Sequence, residues 1–154
     1  MSLLIRVAEE DDLLPLLRLF SRADEGLNPD VSAAERFEIS TWSEMLRTDN
    51  LTTYVAVIDG VLIGTALFVM IPNLGYGCRR SGFIEAMVVS SQHRRGGVAT
   101  RLLNRILDDA TVSGCHKIQL LTHKRHATDG AHAFYRSMGF ESEAEGFRRY
   151  LDSD

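Results

Sequence analysis

Cysteine is scarce in this chain: only Cys78 and Cys115 occur, and they form no C-x-x-C pair. That excludes a disulfide framework and a thiolate metal centre, leaving free structural thiols. Long apolar runs are also missing. The longest, around VLIGTALFVMI, falls far short of the roughly 20 residues that span a bilayer, and MSLLIRVAEEDD carries acids where a secretory signal needs an apolar stretch. A cytoplasmic protein with no membrane association is the expectation. Positive charge is outweighed, with 17 Lys and Arg against 21 Asp and Glu for a formal net charge of −4. The field of the whole molecule therefore repels nucleic acid and anionic lipid, so any bound anion needs a local site. No repeat, low-complexity run or dividing linker appears, and 45% hydrophobic with 25% charged residues suits one ordinary core. Residues 1–154 read as a single domain.

What is present is a clear order of elements. LLIRVA alternates as a first strand, and EEDDLLPLLRLFSRA follows as a helix with Asp12 as its cap, Pro15 in its first turn and Leu13, Leu17 and Phe20 on one side. After the break at NPD, Ser32 and Glu35 have capping-box spacing ahead of a second helix carrying Phe37, Trp42, Met45 and Leu46. LTTYVAVIDGVLIGTALFVMIP is two β-branched runs joined by Asp59-Gly60, which predicts an antiparallel hairpin with a type I′ turn. A glycine-rich loop, NLGYGCRRSG, leads to a fourth strand, FIEAMVVSS, with one conspicuous acid, Glu85. A long helix from near Gly97 to before Gly114 buries Ala99, Leu102, Leu103, Ile106, Leu107 and Ala110 and turns Arg101, Asn104, Arg105 and Asp108 to water. HKIQLLT is strand five; GAHAFYRSM is a short helix, and GFRRYL a closing strand. The order β-α-α-β-β-β-α-β-α-β implies an α/β fold of the α+β type. Its central mixed sheet has helices on both faces, with strands four and five parallel neighbours through the long-helix crossover.

That crossover sets the carboxyl ends of parallel strands beside a helix N-terminus, where about half a positive charge and several unbonded N–H groups gather. Gly96 and Gly97 permit positive φ and close approach of a ligand, and Arg94 and Arg95 add charge-assisted donors. The combination suits a diphosphate-sized anion. No lysine follows for a P-loop, and G-x-G-x-x-G is absent. What stands instead, Arg94-x-x-Gly97-x-Ala99, resembles the R/Q-x-x-G-x-G/A signature of the GNAT superfamily of acetyl-CoA-dependent N-acetyltransferases. AHAFYRSMGFE, residues 131–141, is similar to that family's A-x-x-x-Y-x-x-x-GF segment. The element order matches the family fold from end to end.

The resemblance implies an acetyl-CoA co-substrate. Its diphosphate would be held by the N–H groups of Arg95, Gly96, Gly97, Val98, Ala99 and Thr100, with Arg94 as the first side chain of the motif. The pantetheine amides would pair with the strand-four edge at Met87, Val88 and Val89, as an added strand does. Acetyl transfer needs a neutral amine, an oxyanion donor and an acid for the leaving thiolate. Tyr135 stands at the family's tyrosine position, as the acid; its other reading is a core aromatic beside Phe134. The N–H of Met87 or Val88 would polarise the thioester carbonyl. Glu85 matches the place where several members carry a general base; its other reading is a wet sheet end or a partner for an arginine at 79–80.

Two features depart from the pattern. Many members have an asparagine seven positions before the tyrosine, contacting pantetheine; here Thr128 stands there, with Ala131 beside the coenzyme at the start of the tyrosine segment. His123, His126 and His132 lie close together, but irregular spacing across a loop does not make a metal site, and none is expected. The family's acceptor region corresponds to residues 24–46, 72–82 and 144–150. There Arg79, Arg80, Arg148 and Arg149 would suit an acidic acceptor, and Asp24, Glu25 and Glu38 a polyamine. The reading is an enzyme acting on a small-molecule amine, with a homodimer expected. A non-catalytic acyl-CoA sensor and an acetyltransferase acting on a protein amine are the alternatives. A nucleic-acid module, suggested by three arginine pairs, is opposed by the acidic charge and the lack of interleaved aromatics.

Overall fold

The structure, a computed structural model, describes residues 2–23 and 31–152. Asp24 and Glu25 and the NPD break fall outside them. The chain forms two compact units, Met1–Leu120 and Leu121–Asp154. The first is built on one sheet in the order β1 (Leu3–Val7), β2 (Leu51–Ile58), β3 (Val61–Ile71), β4 (Arg80–Val89) and β5 (Cys115–Leu120). The first four strands run antiparallel to their neighbours and β5 runs parallel to β4. Asp59 and Gly60 close the β2–β3 hairpin at φ 49° and 78°, the pair of positive angles a type I′ turn requires.

Alternation along β2 assigns the two faces. Val55 packs with Ala8, Leu16 and Trp42, joining the sheet to α1 (Leu13–Ala23) and α2 (Arg36–Arg47). Tyr54 points the other way and donates its hydroxyl to Asp109 of α4 (Val98–Val112) at 2.7 Å. Arg105 completes that contact, its Nε donating to Asp109 at 2.9 Å while its guanidinium lies over the Tyr54 ring. The helix buries Val98, Leu102, Leu103, Ile106 and Ala110, close to the expected stripe. Helices thus cover both faces. In β4, Gly82 accommodates Phe68, whose Cε2 lies 2.5 Å from where a Cβ would stand.

Four local expectations are corrected. Asp12 does not cap α1; it closes the turn Glu10–Asp12 in front of it, accepting the Glu9 N–H at 2.7 Å and a two-pronged bond from Arg6 of β1 at 2.6 and 2.9 Å. Burial alone would raise the Asp12 carboxyl, but Arg6 and the Glu9 N–H override it and hold it below its ordinary value. Glu35, not Ser32, caps α2, paired reciprocally with Glu38 one turn on, because a carboxylate reaches the first-turn N–H groups as a serine hydroxyl does. The loop after β3 contains a helical turn, α3 (Gly75–Cys78), with Tyr76 and Gly77 in left-handed conformation. The expected closing strand around residues 146–151 is not formed: those residues have no ladder partner among the described residues, and alternation alone cannot supply one. In the second unit, α5 (Ala131–Ser137) follows a short turn, Lys124–Ala127.

Candidate active site

The site begins with an irregularity in β4. Leu67 of β3 stands opposite Glu85 and Thr65 opposite Val88, so one β3 residue faces two on β4, Ala86 and Met87. This is a β-bulge, and Ala86 takes φ 49° to make it. A left-handed alanine is strained, and such strain persists only where the surroundings impose it, commonly at functional sites. The parallel ladder to β5 ends at Ile84 opposite Leu120, just before the bulge. Glu85 and the expected coenzyme edge, Met87, Val88 and Val89, therefore lie past the last β4–β5 pair. Glu85 is exposed, as a carboxylate at the mouth of a cleft can be without a partner.

From there the chain turns directly into the anion loop. The Ser90 N–H donates to Ile63 O at 2.8 Å, and His93 N–H closes a tight turn on Ser90 O at 2.9 Å. Arg94, Arg95, Gly96 and Gly97 follow, all exposed, with Arg95 at φ 62° and Gly97 at φ 79°. Gly97 is the N-cap of α4 and brings no side chain to bond the first turn. The first intrahelical bond is Arg101 N–H to Gly97 O at 3.0 Å, which leaves the N–H groups of Val98, Ala99 and Thr100 ahead of it without an intrahelical acceptor. Gly64 seats this turn on the sheet: a Cβ there would stand 3.1 Å from Val98 Cγ1, 3.3 Å from Leu102 Cδ1 and 3.3 Å from Val88 O. The start of α4 and the β4 edge past the bulge thus meet at one glycine. His93 is half-buried, and its Nδ1 has no hydrogen-bond partner among the described residues.

Thr128, Ala131 and Tyr135 belong to the second unit. Thr128 lies exposed after the Lys124–Ala127 turn; its neighbour Asp129 does the structural work, pairing with His126 and accepting the Ala131 N–H at 3.0 Å. His123 Nδ1 accepts the Arg125 N–H at 3.1 Å. Two of the three histidines are thus engaged locally, and among the described residues no group of three or more metal-binding side chains converges. Tyr135 on α5 is half-buried, packed against Phe134 and edge-on to Phe140. Burial pushes its hydroxyl above the ordinary tyrosine value, so it holds its proton throughout the neutral range.

A cavity of about 230 Å³ lies under the bulge, walled by α1, α2, β2 and β3 and reaching Ala86 itself. Leu13, Leu16, Leu17 and Phe20 of α1 line it, with Leu16 shared between the cavity wall and the core. Residues 24–46, the expected acceptor region, contribute Phe37, Glu38, Trp42 and Met45 to this wall, whereas the lining by the α1 stripe, Thr53, Thr65 and Ala86 was missed. The signal was the excess of apolar residues on α1, more than one buried stripe needs. Arg79 and Arg80 do not line this cavity. They sit at the opposite end of β4, where Arg79 donates to Tyr76 O at 3.1 Å and Tyr76 stacks on His116.

Comparison with known proteins agrees with this geometry. Residues 13–140 match the model of the Acetyltransferase (GNAT) family. A curated glucosamine 6-phosphate N-acetyltransferase of Trypanosoma brucei brucei is 27% identical over 146 residues, covering 94% of this chain and 92% of that one. An aminoglycoside N(6')-acetyltransferase type 1 of Salmonella typhimurium is 29% identical over 100 residues, covering 64% of this chain and 68% of its own. A solved structure from Agrobacterium tumefaciens, there assigned as an acetyltransferase, superposes with a TM-score of 0.86 at 29% identity, covering 98% of this chain and all of that one. With a bulged β4, a parallel β4–β5 pair and the glycine-led α4, this chain belongs to the GNAT family of N-acetyltransferases.

Proposed function

We propose that the chain, acting as one catalytic domain, transfers the acetyl group of acetyl-CoA to a primary amine of a small molecule by direct attack in a ternary complex. The β4 bulge carries this reading. It ends the β5 ladder before Met87–Val89, and Glu85 directly precedes Ala86, which lines the cavity. The N–H groups of residues 95–100, with the Arg94 and Arg95 side chains, hold the diphosphate; Met87, Val88 and Val89 receive the pantetheine, with Thr128 and Ala131 beside it. The relatives named for glucosamine 6-phosphate and aminoglycosides support a small amine-bearing acceptor.

Atoms balance simply. The amine nitrogen bonds to the acyl carbon as the C–S bond breaks, Glu85 takes the amine proton, directly or through water, and Tyr135 supplies one to the departing sulfur. The Met87 or Val88 N–H stabilises the oxyanion between those events. Burial of Tyr135 favours the acid role, because the hydroxyl stays protonated at working pH. A homodimer completes the proposal, supported by Phe147, Tyr150 and Leu151, which lie exposed near the carboxyl end; analytical ultracentrifugation reads it directly.

The test is thiol release from acetyl-CoA against a panel of aminoalkylphosphonates, polyamines, amino acids, aminoglycosides and simple alkyl and aryl amines. Release with one class, falling about 100-fold in Tyr135→Phe and in Glu85→Gln at saturating substrate, supports the assignment. Unchanged turnover in either variant removes that residue from its role.

A further inference from the structure

We infer that the acceptor amine carries an apolar body, an alkyl chain or an aryl ring, which seats in the cavity between α1, α2 and the β4 bulge. The inference rests on the acetyl-transfer reading and specifies its substrate class. Its first support is the wall. Leu13, Leu17 and Phe20 of α1 face Phe37 and Met45 of α2, and Ala86 of the bulge closes the end nearest Glu85.

Of the five polar side chains in that wall, Glu38, Trp42 and Thr65 are engaged, which leaves two threonine hydroxyls, those of Thr41 and Thr53, in an otherwise apolar lining. Trp42 Nε1 donates to Glu10 O at 3.1 Å, which leaves its ring toward the cavity. The Thr65 hydroxyl donates to Tyr54 O at 2.9 Å. Glu38 accepts the Glu35 N–H at 2.7 Å as part of the α2 cap. Among the described residues no lysine or arginine lines the space, so a sugar phosphate there has no counter-charge, and two threonine hydroxyls are too few to replace the water around a sugar's several hydroxyls. The single ionisable group, Glu38, matches an ammonium rather than an anion.

Size agrees with the chemistry. An apolar protein cavity of roughly 150 Å³ holds benzene, so about 230 Å³ takes a phenyl ring with a short methylene chain, or an alkyl chain of comparable bulk. Phe20 at 37% exposure and Phe37 at 65% stand at the mouth, where large exposed rings are costly unless something apolar covers them. An amine held by its body in this space presents its nitrogen toward Ala86 and Glu85, where the acyl group is to be received.

The experiment measures kcat/KM at saturating acetyl-CoA for n-alkylamines from ethyl to hexyl and for phenethylamine, beside glucosamine 6-phosphate and kanamycin. Calorimetry of phenethylamine with the coenzyme A-bound protein runs in parallel. We expect about a 4-fold gain per methylene until the cavity is full, the increment for burying one CH₂. Phenethylamine should exceed glucosamine 6-phosphate by ~100-fold. Phe37→Ala, at an exposed site that folding does not depend on, should raise KM for phenethylamine about 10-fold. A flat chain-length profile, faster turnover of either sugar amine, or an unchanged KM in Phe37→Ala overturns the inference while leaving acetyl transfer intact. Phenethylamine binding that is weakened by Phe37→Ala, without thiol release from any amine, would instead sink the transfer reading and keep the cavity assignment. No release and no binding overturns both.

Discussion

Gly64 offers a direct way to disturb the turn before α4 without substituting any residue proposed to hold coenzyme A. An alanine Cβ there stands 3.1 Å from Val98 Cγ1 and 3.3 Å from Leu102 Cδ1, a few tenths of an ångström inside the roughly 3.5–4.0 Å optimum for carbon contacts. Overpacking of this kind costs about 1–3 kcal/mol, offset by about 0.4–1 kcal/mol gained from a stiffer unfolded chain. Gly64→Ala should therefore be destabilised by ~0–2 kcal/mol. Gly64→Val adds two methyl groups against the same atoms and should lose about 3 kcal/mol, lowering Tm by roughly 6–12 °C at this chain length. The same push displaces Val98, the first residue of α4, and with it the N–H groups of residues 98–100. Losing one charge-assisted hydrogen bond weakens coenzyme A binding about 10-fold. Thermal melting and coenzyme A calorimetry read the two effects separately. A Gly64→Val protein that melts lower yet binds coenzyme A with unchanged affinity would refute the claim that the α4 turn holds the diphosphate.

Other substitutions test the remaining links. Asp12→Asn breaks the two-pronged bond to Arg6 and should cost about 2 kcal/mol at neutral pH. Because the folded Asp12 carboxyl sits below its ordinary value, its stabilisation is complete above about pH 4 and is lost as pH falls through the folded pKa. Melting curves from pH 7 down to 2 should show a steeper decline in the native chain than in Asp12→Asn. Tyr54→Phe leaves Asp109 to Arg105 alone and should lower stability by about 1–2 kcal/mol in urea titration without altering turnover. The burial that raises Tyr135 predicts no loss of kcat from tyrosine ionisation below about pH 10; a descending limb near pH 8 that vanishes in Tyr135→Phe would contradict it.

The parts legible in the sequence are those set by local chemistry. Asp59-Gly60 takes the two positive angles its dipeptide favours, and the α4 stripe from Val98 to Ala110 follows from helical period alone. The turn ahead of α4 was legible in part: Gly97 takes the positive φ expected of it, but the second positive angle falls on Arg95 and not on Gly96. The bulge was not, because alanine carries no mark of left-handed geometry; β3 pairing on either side of Ala86 imposes it. The α1 stripe was legible but its surroundings were not, since periodicity shows which residues share a face and not whether that face meets packed atoms or a cavity. Glu35 displaced Ser32 as the α2 cap by a choice between two acceptors one turn apart. GFRRYL carries the aromatic residues that strands favour, but a strand needs a partner edge, which no hexapeptide specifies.

The central claim is that main-chain N–H groups of the β4 edge and the α4 turn hold coenzyme A beside Glu85. Two-dimensional ¹⁵N–¹H spectra of the labelled full chain, recorded as coenzyme A is titrated in, test it at the atoms concerned. The account predicts that the largest shifts fall on the amides of Gly96–Thr100 and Met87–Val89, with those of β1 and the Asp59-Gly60 turn unmoved. Saturable binding whose shifts centre elsewhere, or no binding at millimolar coenzyme A, would contradict it.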